Sequence, residues 1–402
     1  MPGSMPVPSF TVAERRARLQ RRHRLAGDAT SVTEVVDSVA VLHATDPATV
    51  YLSVLARAPQ LTLDDVSAAL YEDRSVVKLI GMRRTMFVVR TGFAPVVHSA
   101  AGRAIARRLR RQLLQQLSSR TTDPPAGPDL ETWLQELEDS VERVVDRHGE
   151  APASRLGQDE PRLRTTLIPD TGRKWDVPTN ITSRVLTLMA ADGRLVRGRP
   201  AGTWLSRQHR WASTRALWPD GMPDVAEAEA EEELVRSWLR VFGPAPVTDL
   251  KWWTGWTLGQ TRKVLGRLPV VEADLDGEPG VVLADDVEPE PPRAPAAALL
   301  PALDPTPMGW QTRDWFLGPH RAALFDRNGN IGPTVWWDGR IVGGWAVRAG
   351  RVVWRLLEDV GTEAAAAVEA VAGSIESRLG GATVIPSFRT PLERELVEGE
   401  TR

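Results

Sequence analysis

The stretch VTDLKWWTGWTLGQTRKVLGRLPVVEADLDGEPGVVL, residues 247–283, is the clearest guide to the fold of this chain. Helical spacing of its apolar residues, followed by two short apolar runs separated by glycines, predicts two helices and then a β-hairpin. The predicted elements are helices over Val247–Trp253 and Thr257–Leu265, a tight turn at Thr254-Gly255, and strands over Val270–Ala273 and Val281–Leu283. Helices followed by a two-stranded hairpin in this order are typical of a winged helix.

The same order recurs twice in the preceding sequence, which indicates an internal repeat. The first copy is predicted to contain helices over Thr11–Leu25, Val32–Ala44, Pro47–Arg57 and Leu63–Tyr71, then a hairpin of Val76–Ile80 and Thr85–Arg90 around Gly81–Arg84. The second is predicted to contain a helix over Ile181–Ala191 and strands over Arg194–Arg197 and Thr203–Ser206. The sequence therefore predicts three tandem winged-helix units.

A different pattern follows the third copy. Apolar runs punctuated by glycine predict a small antiparallel β module with strands at Ala298–Leu303, Thr334–Trp337, Ile341–Val347 and Val352–Leu357, a helix over Thr362–Leu379, and a last strand near Thr383–Ile385. Proline-rich linkers are predicted at Thr121–Pro128 and Asp285–Pro295. We therefore predict an α+β fold with four domains, at residues 8–120, 129–215, 228–285 and 296–402.

Composition and motifs exclude several classes of protein. The 402 residues are 42% hydrophobic and 25% charged, as in ordinary globular proteins, and include no cysteine. The sequence therefore has no disulfide framework, thiolate zinc site or cysteine nucleophile, and this favours a cytoplasmic location. Neither a signal peptide nor a membrane-length apolar stretch is present. Because dinucleotide, Walker, serine-hydrolase and histidine metal-site motifs are also missing, we expect no metal and no cofactor.

Charge is segregated along the chain although the net charge is only −2. From Arg74 to Arg120 there are eleven basic residues and no Asp or Glu, whereas acids concentrate in Asp220–Glu233 and Glu272–Glu290. Two arginines fall at the predicted hairpin tip, and others recur on one helical face, which suits contact with nucleic-acid phosphates. The residues expected to contact nucleic acid are Lys78, Arg83, Arg84, Thr85, Arg103, Arg107, Arg110, Arg111 and Arg197. The alternative is a solvated or ion-paired surface.

Several motifs resemble the AlkZ-like/YcaQ-like winged-helix DNA glycosylases. They are Leu42-His43-Ala44-Thr45-Asp46-Pro47, Gly243-Pro244, Asp249-Leu250, Trp253-Thr254-Gly255, Leu299-Leu300-Pro301 with Asp304, Gly309–Arg313, and Asp338-Gly339 with Gly343. This resemblance spans most of the chain. It implies tandem winged helices in a C-shaped arrangement closed by a β-barrel-like module, and an enzyme that excises alkylated bases from DNA.

The resemblance also points to candidate catalytic residues. Such glycosylases carry a Gln-x-Gln or Gln-x-Asp motif that holds the attacking water, and the corresponding positions here are His43 and Thr45. A neutral imidazole can deprotonate a water near pH 7, Thr45 could orient that water, and Asp46 could act as a carboxylate base or stabilise an oxocarbenium-like centre. The alternative for Asp46 is purely structural, because Asp followed by Pro is a common helix start.

Together with the lack of metal and cofactor motifs, the resemblance implies a metal-free DNA glycosylase that removes bulky N7- or N3-alkylated purines, or unhooks cross-links, by water attack at C1′ of the deoxyribose. Its expected partner is alkylated or cross-linked double-stranded DNA, with no membrane and no nucleotide cofactor, and we expect a cytoplasmic, nucleoid-associated monomer. One alternative is a catalytically inactive winged-helix protein that recognises damage or regulates transcription. Another is a component of a larger complex that presents its acidic segments to a protein partner.

Overall fold

Capping side chains mark the starts of the first four helices. Thr11, Ser31, Asp46 and Thr62 each accept a hydrogen bond from a backbone amide in the first turn of the helix that follows. Each therefore satisfies one of the amides that a helix start leaves unpaired. The computed structural model describes residues 7–121, 129–168, 177–291 and 293–399.

The first described range contains α1 (Val12–Arg22), α2 (Val32–Asp37), β1 (Leu42–His43), α3 (Pro47–Arg57), α4 (Leu63–Tyr71), β2 (Val76–Gly81), β3 (Thr85–Arg90), α5 (Ala94–Val97) and α6 (Arg103–Arg120). The chain continues with α7 (Leu130–His148), β4 (Glu150–Pro152), α8 (Ala153–Asp159), β5 (Thr166–Leu167), β6 (Thr179–Asn180), α9 (Thr182–Ala191), β7 (Leu195–Pro200) and β8 (His209–Ser213).

After these elements come α10 (Glu227–Phe242), α11 (Val247–Thr254), α12 (Leu258–Leu265), β9 (Val270–Leu275), β10 (Glu278–Leu283) and β11 (Ala297–Leu300). The remaining elements are α13 (Pro305–Met308), α14 (Asp314–Leu317), α15 (Arg321–Leu324), β12 (Thr334–Trp337), β13 (Arg340–Arg348), β14 (Arg351–Leu356), α16 (Gly361–Leu379) and α17 (Pro391–Glu398).

The chain divides into two compact units, each assembled from separate stretches of sequence. The first comprises Met1–Val76, Phe87–Thr91 and Glu231–Arg402, and the second comprises Val77–Met86 and Gly92–Ala230. The first unit contains the antiparallel hairpin β9–β10 and a four-stranded antiparallel sheet of order β11-β12-β13-β14. In the second, β4, β8 and β7 form an antiparallel sheet. Helix and sheet are thus mixed throughout the described residues.

Many predicted elements are confirmed. Helices α3 and α4 have the predicted bounds, and the predicted hairpin around Gly81–Arg84 is formed by β2 and β3, which are neighbours in a sheet of order β1-β3-β2. The helices and hairpin of residues 247–283 also form, as α11, α12, β9 and β10. The local signals in these segments, which are caps, turns and apolar spacing, agree with one another.

The helix predicted over Val32–Ala44 is wrong beyond Asp37. The chain leaves α2 there, passes through Ala40 in a left-handed conformation with φ 59°, and continues as β1. Leu42 and His43 of β1 pair with β3. Strand pairing with a partner more than 40 residues away overrides the local helical spacing.

Two predicted strands are also corrected. The strand expected at Thr203–Ser206 lies instead at His209–Ser213, because residues 201–208 form a longer hairpin loop closed by the Ala201 amide donating to the Gln208 carbonyl at 2.8 Å. Residues Thr383–Ile385 form no strand and lie in the loop between α16 and α17. Apolar runs alone do not show whether a strand partner is available.

The C-terminal sheet is open, which differs from the β-barrel-like closure that the resemblance implied. Its strand order is linear, with β11 and β14 at opposite edges, and among the described residues no pairing joins these two strands. Helix α16 packs against both edge strands. Of the two predicted linkers, residues 122–128 and 292 lie outside the described residues.

Aromatic side chains fill the core of the first unit. Trp238 is fully buried and lies 5.6 Å from Phe242, whose ring in turn lies 4.9 Å from Trp310, measured between ring centroids. Trp336 is also fully buried, against Phe316. These tryptophans therefore serve the core of the first unit. None of the described helices is long and apolar enough to cross a membrane.

Helix α3 is attached to the segment after β11 by a polar stripe within the first unit. Thr49, Ser53 and Arg57 are four residues apart and therefore lie on one helix face. The Thr49 hydroxyl donates to the Ala302 carbonyl and the Ser53 hydroxyl to the Asp304 carboxylate, both at 2.7 Å.

The stripe ends in a buried ion pair. The Arg57 guanidinium donates to both carboxylate oxygens of Asp304, at 2.7 and 2.8 Å, and neither side chain is exposed. Burial alone would raise the pKa of Asp304, but Arg57 and the donated hydrogen bonds outweigh burial and hold that pKa below its ordinary value. Helix α3 is thus fixed at its C-terminal end, while its N-terminal end carries the candidate catalytic residues.

Candidate functional site

The three candidate catalytic residues lie in the first unit, where β1 leads into α3. His43 is the last residue of β1, Thr45 lies in the connection, and Asp46 is the N-cap of α3. His43 is paired with Phe87 of β3, and the two rings meet edge to face with centroids 5.8 Å apart. The structure therefore places His43 on a strand, and not at the end of a helix as the sequence suggested.

The hydrogen bonding of His43 indicates which ring nitrogen carries its proton. The backbone amide of Thr45 donates to Nδ1 of His43 at 3.4 Å. A ring nitrogen that accepts a hydrogen bond has no proton in the neutral imidazole, so the proton is on Nε2. The side chain is almost completely buried, at 9% exposure, whereas Thr45 is exposed. His43 in this form presents a donor at Nε2.

Asp46 is held by backbone amides on both carboxylate oxygens. Oδ1 accepts a hydrogen bond from the Ala48 amide at 3.1 Å, and Oδ2 accepts one from the Ser387 amide at 2.6 Å. Pro47 occupies the first helical position. The predicted N-cap is therefore confirmed, and Asp46 also connects α3 to the loop after α16. Sequence reasoning missed Ser387, because it is 341 positions away from Asp46.

A small cavity lies beside Asp46 in the first unit. Its volume is about 20 Å³, and Asp46 and Thr49 provide polar groups in a lining that is otherwise apolar, including Trp345 and Val384. A cavity needs roughly 10–15 Å³ to hold a water molecule, whereas pockets for drug-sized ligands span about 300–1,000 Å³. This cavity is therefore large enough for water and too small for a purine.

The predicted arginine pair forms the tip of the β2–β3 hairpin. Arg83 and Arg84 are exposed and have positive φ angles of 56° and 60°, as in a two-residue type I′ turn. Thr85 follows as the first residue of β3 and is half-buried. The turn thus presents two neighbouring guanidinium groups at an exposed position.

The basic stripe on α6 is largely ion-paired within the second unit. Arg103 pairs with Asp224, and Arg110 pairs with Glu131 at 2.9 Å and with the fully buried Glu138 at 2.6 Å. These acids come from sequence outside the basic stretch, which is why the local charge pattern did not predict them. The ion-paired alternative therefore describes Arg103 and Arg110 well.

The other two arginines of the stripe are more exposed. Arg107 lies 3.9 Å from the Glu227 carboxylate, and more than half of its side chain is accessible to solvent. Arg111 is exposed as well. These two remain the members of the α6 stripe that are best placed for an external phosphate.

Two further predicted contact residues, Lys78 and Arg197, lie near each other in the second unit. Burial and then the Arg197 charge lower the pKa of Lys78 to about 8, and burial lowers the pKa of Arg197. His209 belongs to the same group: burial, followed by the charge on Arg197, lowers its pKa to about 4. Sequence reasoning missed His209 because it treated the histidines as scattered. No group of three potential metal ligands occurs among the described residues.

Comparison with known proteins gives the class of protein. The model of the DNA glycosylase AlkZ-like family matches residues 36–377. The match covers most of the chain and includes His43, Thr45 and Asp46, so this chain belongs to the DNA glycosylase AlkZ-like family.

One protein sequence and one solved structure from Streptomyces sahachiroi are similar to the chain. An interstrand DNA cross-link repair glycosylase is 30% identical over 169 residues, which cover 39% of this chain and 45% of that protein. The matched part thus spans less than half of that relative. The solved structure of DNA glycosylase AlkZ has a TM-score of 0.66 and 20% identity, and the match covers 94% of this chain and 99% of that one. At this identity the structural likeness shows the fold alone.

Proposed function

We propose that this chain is a DNA glycosylase that hydrolyses the bond between deoxyribose and a bulky N7- or N3-alkylated purine, and that it unhooks interstrand cross-links. Membership of the AlkZ-like family carries this proposal, because the matched region includes the candidate site. The relative named as a cross-link repair glycosylase supports cross-linked DNA as a substrate. Double-stranded DNA is accordingly the proposed partner.

In the proposed reaction, little acid catalysis is required. Alkylation at N7 or N3 makes the purine cationic, so the base leaves without being protonated by the enzyme. A water then adds to C1′ as an oxocarbenium-like centre develops, and it releases its proton to solvent after bond formation. The protein's task is to place the water and to stabilise positive charge at C1′.

His43 is proposed to position this water as a hydrogen-bond donor. The Thr45 amide donates to Nδ1, so in the neutral ring the proton is on Nε2, and we propose that this N–H donates to the water oxygen in the complex with DNA. A glutamine carboxamide, which the resemblance places at this position in other members, can supply the same kind of N–H donor. Thr45 is proposed to act through its amide on His43. Asp46 is proposed to hold the start of α3 in place through Ala48 and Ser387.

The proposed architecture keeps three tandem winged-helix units at residues 8–120, 129–215 and 228–285, followed by a C-terminal β module at residues 296–402. The helices and hairpin of residues 247–283 support the third unit. DNA is proposed to contact the hairpin tip at Arg83, Arg84 and Thr85, and the exposed arginines Arg107 and Arg111. Arg103 and Arg110 are proposed to support these contacts from within their ion pairs.

The test is single-turnover incubation with duplex DNA that carries one bulky N7-alkylguanine or one interstrand cross-link, scored as abasic sites by alkaline cleavage. Removing one positioned donor typically costs about 10²–10³-fold in rate. We therefore expect His43→Ala to lose about this factor, and His43→Gln to retain activity to within about tenfold, because it restores an N–H donor. Thr45→Ala keeps the amide and is the matched control.

Two outcomes would contradict this proposal. One is that the wild-type rate rises with pH as His43 loses its proton, and that His43→Gln is as slow as His43→Ala. In that case His43 would be a general base. If no adduct gave lesion-dependent product although DNA was still bound, the chain would be a silent DNA-binding member of its family. The engagement of both Asp46 oxygens by backbone amides is the observation that favours this second candidate.

A further inference from the structure

One face of the β7–β8 hairpin, in the second unit, carries an unusual group of side chains. Arg197 of β7 is directly opposite Trp211 of β8, so the two lie on the same face of the sheet. His209 precedes Trp211 by two residues and shares that face, and the two rings are 4.8 Å apart. Lys78 of β2 interacts electrostatically with both Arg197 and His209. Three basic groups thus lie close together, and two of them, Arg197 and His209, lie beside one buried indole.

Two polar atoms of this group are buried without a hydrogen-bond partner. They are Nε of Arg197 and Nε2 of His209. Leaving such atoms unpaired in a folded protein costs free energy, and most buried polar atoms therefore have partners. Such atoms in a folded protein require an explanation, which is strain, a bound water or ion, or a functional role.

No carboxylate among the described residues offsets the burial of Arg197, since burial is the sole cause of its lowered pKa. The acid of the neighbouring strand, Glu150, lies on the opposite face. Glu150 pairs with Ala212, which adjoins Trp211 and therefore faces the other way, and its carboxyl lies against Gly198. A buried guanidinium beside other basic groups, whose own charge no carboxylate compensates, provides an electrostatic environment suited to an anion.

We propose that Arg197, His209 and Lys78 form a binding site for the oxyanion of a phosphate group, with the indole of Trp211 as its floor. The phosphate is that of a DNA backbone, and this assignment to DNA rests on the proposed function. Arg197 supplies its guanidinium fork, Lys78 supplies an ammonium, and His209 supplies Nε2.

Anion binding at this site involves a proton. The contact of Nδ1 of His209 with the Arg207 carbonyl, at 3.3 Å, places a proton on Nδ1, so that Nε2 of the neutral ring is an acceptor. An unprotonated phosphate oxygen accepts a hydrogen bond from Nε2 only when His209 is an imidazolium. Binding of a phosphodiester therefore draws a proton to His209, against burial and the charges of Arg197 and Lys78, which lower the pKa of His209 and favour the neutral ring without ligand.

The first arm of the test needs no DNA. The full chain is labelled with ¹⁵N-histidine and titrated with inorganic phosphate against chloride at constant ionic strength, and the ring signals are followed by NMR. His209→Gln identifies the His209 signal by its loss. We expect a saturable shift of this signal in the wild type, at least tenfold weaker binding in Arg197→Gln, and no change in Arg108→Gln, which neutralises an exposed arginine of α6 in the same unit.

The proposal is overturned if phosphate produces no saturable shift of the His209 signal, or if Arg197→Gln binds phosphate as tightly as the wild type. If Arg197→Gln fails to fold, Arg197→Lys retains the positive charge but loses the fork, and we expect at least tenfold weaker phosphate binding. Unchanged affinity in a folded Arg197→Lys equally overturns the role of the fork.

The second arm identifies the source of the phosphate. Binding of an unmodified duplex is measured against salt, where each neutralised phosphate contributes about −0.9 to the slope of log affinity against log salt. Arg197→Gln is expected to make the slope shallower by about 0.9, with Arg108→Gln as the control. An unchanged slope beside an intact phosphate response overturns the assignment to DNA. Because neither arm measures base excision, loss of the glycosylase proposal leaves this test unaffected.

Discussion

Replacing Asp304 by Asn is expected to destabilise the protein strongly, although Asp304 is far in sequence from the candidate site. The substitution preserves volume and removes the charge that pairs with Arg57. Both side chains have no exposed surface, and their two hydrogen bonds measure 2.7 and 2.8 Å. Removing one partner of such a buried pair leaves the other charge uncompensated, at a cost of about 3–5 kcal/mol in the free energy of unfolding.

The matched control is Asp37→Asn, which breaks an ion pair of similar distance at the surface. Arg90 and Asp37 are 3.0 Å apart, and about half of each side chain is exposed. Pairs of this kind contribute about 0–1 kcal/mol. Urea unfolding followed by far-UV circular dichroism and tryptophan fluorescence measures both variants. A loss below about 1 kcal/mol in Asp304→Asn, equal to that of the control, would refute the reasoning.

The lowered pKa of Asp304 also predicts how the difference in unfolding free energy between wild type and Asp304→Asn depends on pH. The pKa of Asp304 is lowered in the folded protein, so its contribution is fully present above the ordinary carboxyl pKa. It declines progressively as the pH falls below that ordinary value and is lost once the pH has fallen through the lowered folded value. The stability difference between wild type and Asp304→Asn should therefore be constant between about pH 5 and pH 8.

Three more predictions follow from buried or exposed charge. Burial lowers the pKa of His23 to about 3, so between pH 6.5 and pH 3 only the unfolded chain binds a proton at this residue. The free energy of unfolding should therefore fall by about 1.4 kcal/mol per pH unit as the solution is acidified through this range. In urea titrations, His23→Gln should show a shallower fall. The double variant Arg83→Ala with Arg84→Ala should make the slope of log duplex affinity against log salt shallower by more than one unit. Arg110→Ala should chiefly lower the free energy of unfolding. An unchanged slope in the double variant would show that the hairpin tip does not contact DNA. Asp46→Ala should lower the free energy of unfolding by about 1–2 kcal/mol in thermal unfolding, because the helix cap is lost. Asp46→Asn should lose less, because Asn is also a good N-cap. Equal losses in the two variants would contradict the capping role.

Prediction from the sequence succeeded where neighbouring residues determine the structure. Asp46 and Pro47 begin α3 as their capping chemistry requires, and the turn at Thr254-Gly255 separates two helices, with Gly255 in the left-handed conformation. Such features depend on hydrogen bonds within a few residues. The order of helices and hairpins could therefore be predicted without knowing what packs against what.

The errors arose where distant residues determine the outcome. Helix α2 ends early because Leu42 and His43 pair with β3, and the basic face of α6 is neutralised by Glu138 and Asp224. A charge count within one helix contains no information about acids delivered by other elements. The proton position on His43 is likewise set by a backbone amide, which has no sequence signature. Long-range pairing therefore limits what the sequence alone reveals about the candidate site.

At the β2–β3 turn, the residues that would stabilise the protein most differ from the charged residues that the turn carries. Left-handed conformations cost about 1–2 kcal/mol per residue for side chains that carry a Cβ, and Arg83 and Arg84 both adopt them, where Asn-Gly is the preferred pair. A library randomised at these two positions and screened only for heat resistance would enrich Asn-Gly. The same screen would remove the two exposed guanidinium groups. Selection for thermal stability and selection for electrostatic attraction of a polyanion would therefore favour different residues at this turn.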